Sequence, residues 1–138
     1  MNILILLYHH LKVFGGKKVS MVLIIDVKMI FVSLLRLSGF VSRENFDWVL
    51  QQATIKKKDF SKVEFLTYDE GFCVQCLHIG TYNEEPITIE RMHTYMENEG
   101  YQQDITDERM HHETYISYFR KTEPARLKTV LRHPINKA

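Results

Sequence analysis

Phe72-Cys-Val-Gln-Cys-Leu-His-Ile79 runs into Gly80-Thr-Tyr-Asn-Glu-Glu-Pro86, and apolar residues then recur at Ile89, Met92 and Met96 before Gly100. The first stretch is short, apolar and bounded by turn residues, which is how a strand reads. Pro86 suits the first turn of a helix, where its missing N–H costs nothing. Ile89, Met92 and Met96 then form one helical stripe, and Gly100 is a natural C-terminal stop. Beyond it, Gln102 to Met110 is polar and reads as a loop. His112 to Phe119 alternates as a strand, Lys121 to Pro124 turns, and Leu127 to Ile135 is the last strand. From Phe72 onward the pattern is therefore β-α-β-β, an α+β unit with a mostly antiparallel sheet.

Working back toward the N-terminus, Asp69-Glu70-Gly71 reads as a turn and Val63 to Tyr68 as a strand. Ser42 is placed to cap a helix whose stripe is Phe46, Val49, Leu50 and Ala53, ending near Lys56 to Lys58. The three lysines suit a solvated helix end favoured by the helix dipole. Met29 to Leu37 and Val22 to Val27 read as two further strands, and Gly15-Gly16 as a turn.

The whole chain has 138 residues, 45% of them hydrophobic, which suits one compact domain with a core. Eighteen Lys and Arg against seventeen Asp and Glu leave a formal charge of +1, so no global field draws nucleic acid or an anionic membrane. The apolar start, Met1 to Leu7, is too short for a membrane span, and Asp26, Lys28 and Arg36 interrupt the next apolar stretch. No membrane partner is expected. Two cysteines do not make a disulfide framework, and a reducing cytoplasm is the expected compartment.

Cys73 and Cys76 lie three apart on a strand, so their side chains point to opposite faces and read as small packing residues. The seven histidines show no HxxxH or HExxH spacing, so neither a metal nor another cofactor is expected. His111 and His112 should diverge to opposite faces of their strand, and His93 reads as a surface or packing residue. Glu113 stands out. Period two puts Glu113, Tyr115 and Ser117 on one face of the strand and Thr114, Ile116 and Tyr118 on the other. If the second face packs the helix, the first sets a carboxylate beside a tyrosine ring on the open side of the sheet. Such a carboxylate can pair with a lipophilic cation or act as a general base with a raised pKa. From spacing alone, a solvated edge-strand carboxylate fits as well.

Glu70-Gly-Phe-Cys-Val-Gln-Cys-Leu-His-Ile-Gly-Thr-Tyr-Asn-Glu-Glu-Pro86 closely resembles the EGLCVQMLHIGPYDDEP segment of GyrI-like proteins. Glu90-Arg-Met-His, Glu99-Gly-Tyr, and His111-His-Glu-Thr-Tyr-Ile-Ser (compare HHEIYLS) continue it. Lys121 to Pro134, with Glu123-Pro-Ala-Arg-Leu-Lys-Thr-Val-Leu-Arg132, resembles the closing PEKLKTILRxP strand. The resemblance reaches upstream to about Met29. It implies a fold of two strand-helix-strand-strand modules with a ligand cleft between them. Here residues 29–138 resemble a partial domain, with the complete second module at about 70–138, an incomplete first module, and 1–28 unassigned. A truncated or frameshifted gene, or a genuine short form, would give this pattern.

The family binds hydrophobic, often cationic, small molecules. Related modules are effector domains of multidrug-sensing regulators, and some stand-alone members hydrolyse cyclopropane-bearing toxins. The family's acid falls on Glu113. The resemblance adds Tyr82, Tyr115, Phe31 and His78 as ligand-binding positions, Phe31 standing where relatives often carry Trp. Three readings follow: a small-molecule binder of drug-sequestering type, a cyclopropanoid hydrolase, or an inactive fragment. A half-cleft and an open strand edge would favour a homodimer completing the cleft.

Overall fold

The computed structural model describes residues 12–15, 18–25, 32–61 and 63–138, with side chains from Leu34 onward. Strands are β1 (Lys12–Gly15), β2 (Lys18–Ile25), β3 (Val32–Arg36), β4 (Val63–Asp69), β5 (Phe72–Ile79), β6 (Tyr101–Gln103), β7 (His112–Tyr115) and β8 (Lys128–Lys137). The helices are α1 (Arg43–Ile55) and α2 (Glu85–Asn98). The chain divides into two compact units, Lys17–Asp69 and Met1–Gly16 with Glu70–Ala138. The architecture is α+β with antiparallel sheets, as the periodicity predicts. Among the described residues no helix is long and apolar enough to cross a membrane.

In the unit Lys17–Asp69, the strands run in the order β3-β2-β4. β2 starts at Lys18, earlier than the expected Val22, and the last residues of that expected strand lie outside the described residues. α1 opens on a capping box: Ser42 Oγ accepts from the Asn45 N–H at 3.2 Å, and Asn45 Oδ1 accepts from the Ser42 N–H at 2.9 Å. Phe46 meets Phe65 of β4 at 5.6 Å between ring centres. Leu50 and Ala53 share that half-buried stripe, but Val49, expected on it, is 53% exposed.

In the other unit the order is β1-β5-β8, and β6 and β7 lie one after the other along the far edge of β8. α2 covers one face. Its Met92 and Met96 pack on Val74, Leu131 and Ile135, with Cys76, Ile89, Tyr95 and Tyr101 closing the margin. The stripe is the one the spacing predicts, and Gly100 ends the helix at φ 77°. Two expectations need correction. The residues after Gly100 are not all loop, because Tyr101–Gln103 pairs with Ile135–Lys137. Their polar side chains hide a strand held by backbone bonds to β8. The strand beginning at His112 also stops at Tyr115 rather than Phe119. There the N–H groups of both Ile116 and Ser117 turn to the Lys128 carbonyl, and Ser117 Oγ accepts from the Lys128 N–H at 3.0 Å. A side chain thus replaces a rung of the ladder.

The sheet face away from α2 carries a charged clamp. Glu70 is 7% exposed and binds His112 Nδ1 at 3.1 Å and Arg132 Nη1, while Arg132 Nη2 donates to Gln75 at 2.8 Å. Arg109 Nη2 reaches the carbonyls of Glu70 and Phe72 at 3.0 and 2.8 Å. That approach requires Gly71: its φ is 62°, and a Cβ would stand 3.0 Å from the Arg109 Nη2. Cys73 lies on this side, its Sγ 3.5 Å from the Glu70 carbonyl, whereas Cys76 packs on the core of the helix side. Both thiols are free, and burial pushes the Cys73 thiol up to about 11.

Two measurements check this arrangement. Met92 is fully buried, so Met92→Ala should cost about 2–5 kcal/mol in chemical denaturation. Burial alone would raise the Glu70 carboxyl, but the hydrogen bonds and charges of His112 and Arg132 outweigh it and hold the group at about 2, against an ordinary 4.5. A folded value below the unfolded one stabilises fully above pH 4.5, and this is lost as pH falls toward 2. The stabilisation is of order 3 kcal/mol, so Glu70→Gln should lower stability at neutral pH and flatten the acid limb of the stability profile.

Candidate functional site

The pairing register fixes where Glu113 points. Glu113 stands opposite Leu131 and Tyr115 opposite Thr129, while His112 and Thr114 stand opposite Arg132 and Val130. Directly paired residues share a face. Leu131 belongs to the core under α2, so Glu113 and Tyr115 are on the helix side. This reverses the expectation that they occupy the side of the sheet away from the helix. Period two groups the residues correctly but does not say which group meets the helix. Ser117 is not part of this face, because it lies past the end of β7.

Glu113 is held from two directions. Tyr115 donates its hydroxyl hydrogen to Oε2, and His111 Nε2 donates to Oε1 at 2.8 Å. The Tyr82 ring meets the Tyr115 ring edge-on, 5.8 Å between centres at 86°, and both rings are about half exposed. Tyr82 is set by a short 3-10 turn, Tyr82–Glu84, which leads into α2. Thr81 caps that turn: its N–H and hydroxyl both donate to Glu84 Oε2 at 2.9 Å. Gly80 makes the turn possible, since its φ is 145° and a Cβ would come within 2.8 Å of that carboxylate.

His78 has a different setting from the one expected. It is 4% exposed; its Nε2–H donates to the Thr81 carbonyl at 2.9 Å, and Nδ1 pairs with the Thr88 hydroxyl at 2.9 Å. Both ring nitrogens are engaged, so the imidazole braces the Tyr82 turn against α2. Phe31 lies outside the described residues. The structure therefore brings together Glu113, Tyr115 and Tyr82, with His78 behind them.

Three groups beside Glu113 escape the sequence reading. Glu85, in the first turn of α2, is 8% exposed, and its Oε1 is buried with no hydrogen-bond partner. It stands four residues before Ile89, on the apolar stripe, and that position was the available signal. His111 is the second: its Nδ1 is also buried and unpartnered. The third is His133, 4% exposed, whose Nδ1 lies 3.1 Å from His93 Nε2 and whose ring meets that of His111 at 4.7 Å. No spacing rule connects these histidines, because β8, the residue just before β7, and α2 each supply one. Among the described residues, no cluster of His, Cys, Asp and Glu is arranged to hold a metal ion.

The electrostatics separate the two carboxyls. Desolvation is the largest influence on Glu113 and pushes it up. The hydrogen bonds from Tyr115 and His111, with the nearby His111 and His112, together bring it below the ordinary carboxylate value. The expected upward shift is thus corrected: the strand supplies more donors than an apolar wall would. Glu85 moves the other way, raised first by burial and then by the charge of Glu113, with His78, His111 and Thr129 only partly offsetting this. The Tyr115 hydroxyl is pushed up by burial and by its bond to Glu113, so it stays a donor. A separate concavity of about 680 Å³ lies among Ile79, Ile116, Lys121, Arg126 and Lys128. It is wide open and includes none of the residues around Glu113, so it is a surface basin and not the site of this chemistry.

Residues 39–136 match the GyrI-like small molecule binding domain family. A hydrolase from Listeria innocua is similar in structure, with a TM-score of 0.72 and 34% identity, over 86% of this chain and 62% of that one. An uncharacterized conserved protein from Listeria innocua gives a TM-score of 0.72 at 35% identity, over 88% of this chain and 64% of that one. The chain spans less than two thirds of the length of these proteins. No curated protein matches it. The chain belongs to the GyrI-like family, whose domains bind small molecules.

The buried imidazole gives the site a measurable pH signature. Burial, with His111 and His93 beside it, lowers His133 from 6.5 to about 4. The folded protein therefore resists its protonation, and the associated stability is complete above 6.5 and lost as pH falls toward 4. The loss is about 3 kcal/mol, and His133→Phe should remove this slope from urea-denaturation midpoints across that window.

Proposed function

We propose that this domain binds hydrophobic organic molecules, cationic ones included, with Glu113 as the counter-charge and Tyr82 and Tyr115 as the aromatic contact. One observation carries the reading: the half-exposed Tyr115 ring, with Tyr82 edge-on against it, donates its hydroxyl to a carboxylate whose hydrogen bonds hold it below the ordinary carboxylate pKa. An anion walled by π-faces attracts a desolvated organic cation, and simple metal or ammonium ions, which lose their hydration shells reluctantly, gain little there. Drug sequestration in the cytoplasm is the biological form of this reading. Residues 70–138 would supply the binding module, with a second copy of the chain as the completing partner.

A second reading, a hydrolase that opens cyclopropane-bearing toxins, draws support from the hydrolase of Listeria innocua named above. Glu113 would then take a proton from the attacking water while Tyr82 or Tyr115 binds the ligand. The lowered pKa of Glu113 makes it a weaker base and a better counter-charge, which is why binding is placed first.

Glu113→Gln keeps the shape and removes the charge. Affinity for tetraphenylphosphonium, measured by calorimetry, should weaken by roughly 2–4 kcal/mol with the circular dichroism spectrum unchanged. With a cyclopropane-bearing substrate, the hydrolase reading requires turnover to fall at least ~100-fold while binding survives. If neither binding nor turnover changes, Glu113 is the wrong residue.

A further inference from the structure

The basin of about 680 Å³ has a chemistry opposite to that of Glu113. Lys121, Arg126 and Lys128 line it, and Ile79 and Ile116 supply its apolar part. Lys128 pairs directly with Ile79 across the sheet, so the two share a face. That face is the one away from α2, because Lys128 stands an odd number of positions from Leu131, which lies under the helix. The basin and the Glu113 site therefore occupy opposite faces of β8. Its walls are held by backbone bonds. Lys121 and Thr122 both direct their N–H groups at the Tyr118 carbonyl, at 3.0 and 3.1 Å. Arg126 ends a short 3-10 turn, Pro124–Arg126, and its N–H donates to the Glu123 carbonyl at 2.8 Å. The next residue, Leu127, is buried, and its carbonyl accepts from the Gly80 N–H at 3.0 Å. Fixed backbone thus sets three cationic side chains around one space, so little further ordering is needed to fill it.

A matching counter-charge is missing. Glu123 is the one carboxylate of the lining, and among the described residues none of the three cations makes an ion pair. Lys121 lies over the Tyr118 ring, its Nζ 5.8 Å from the ring centre, which places an exposed aromatic face at the rim. The whole chain carries a formal charge of only +1, so this concentration of one sign is local. A recess lined by like charges gathers counter-ions. Two hydroxyls join the cations. Ser117 Oγ accepts from the Lys128 N–H, which leaves its own hydrogen to donate, and Thr122 is the other. Beside these polar groups Ile79 is 48% exposed, an apolar surface that a simple inorganic anion would leave uncovered.

We propose that this basin is a second binding site, for an amphipathic organic anion: an oxyanion head group on an apolar body. Arg126 and Lys128 hold the head, the guanidinium offering paired donors and the ammonium a point charge. Ile79 and Ile116 receive the body. The volume is that of a site for a small organic molecule. A recess of this kind suits a free ligand, whereas a bilayer or a flat protein surface would meet only its rim. The cations suited to Glu113 are repelled here, so this site goes beyond the proposed function and does not rest on it.

Two dyes separate the possibilities. Anilinonaphthalene sulfonate carries an oxyanion on an apolar ring system, and phenylnaphthylamine is the same ring system without it. In fluorescence titrations of the full chain, the sulfonate should bind about tenfold more tightly than the neutral amine, and its affinity should fall as salt rises. Arg126→Gln and Lys128→Gln should each weaken the sulfonate about threefold, since exposed charge pairs are individually weak, and together about tenfold. Neither change should alter the binding of phenylnaphthylamine. Lys56→Gln, at the end of α1, removes a cation far from the basin in sequence and should leave the sulfonate unaffected. Equal affinity for the two dyes would mean apolar adsorption and overturn the proposal. So would an equal loss in Lys56→Gln, which would mean diffuse charge. A double variant with an unchanged circular dichroism spectrum and unchanged sulfonate affinity would place the dye elsewhere and sink the basin. Co-sedimentation with phosphatidylglycerol vesicles, lost in the double variant, would assign the basin to a membrane surface and overturn the free-ligand reading.

Discussion

Leu131 is the point on which the larger unit turns. It stands opposite Cys76 on one side and Glu113 on the other, and it is fully buried beneath Met92. Moving it out of register by one position would expose an apolar side chain and bring a neighbour of opposite orientation under the helix. Burial at this one rung therefore fixes two pairings at once. It holds β5 in the core, and it decides that the carboxylate of β7 shares a face with α2.

The site is partly legible in the sequence. The strands, the two helices and the α2 stripe follow from spacing, from Pro86 and from Gly100, because local backbone preference and burial agree there. Period two sets Glu113 beside Tyr115, the family resemblance adds Tyr82, and the structure joins Glu113 to Tyr115 and Tyr115 to Tyr82. The face they occupy was not readable. An alternating edge strand is symmetric until its partner is known, and β8 supplies that information from the far end of the chain. Tyr101–Gln103 was hidden for a related reason: its three residues owe their strand state to backbone bonds with Ile135–Lys137, and polar side chains advertise nothing of it.

The groups that sequence reasoning missed share a trait. Glu85, His111 and His133 are polar residues in apolar positions, brought near one another by three different elements. Each breaks the local rule that its neighbours obey, and such departures are expected where function rather than stability sets the residue. Glu70 marks the contrast. It too is a buried carboxylate, but Arg132 and His112 satisfy it, and its strongly lowered pKa describes a structural fastening. Burial alone does not distinguish a site from a clamp, and the partners do.

The adjacent pair His111-His112 links these two worlds. One imidazole serves Glu113 on the helix side, and the next serves Glu70 on the other side. A one-residue slip of β7 against β8 would turn both rings to the opposite faces and carry Glu113 toward the face where Glu70 is buried, setting two anions about one guanidinium. The dipeptide thus acts as a proofreading key: a mispaired β7 is penalised on both surfaces of the sheet simultaneously, so the chain cannot trade its fastening for its binding chemistry during folding.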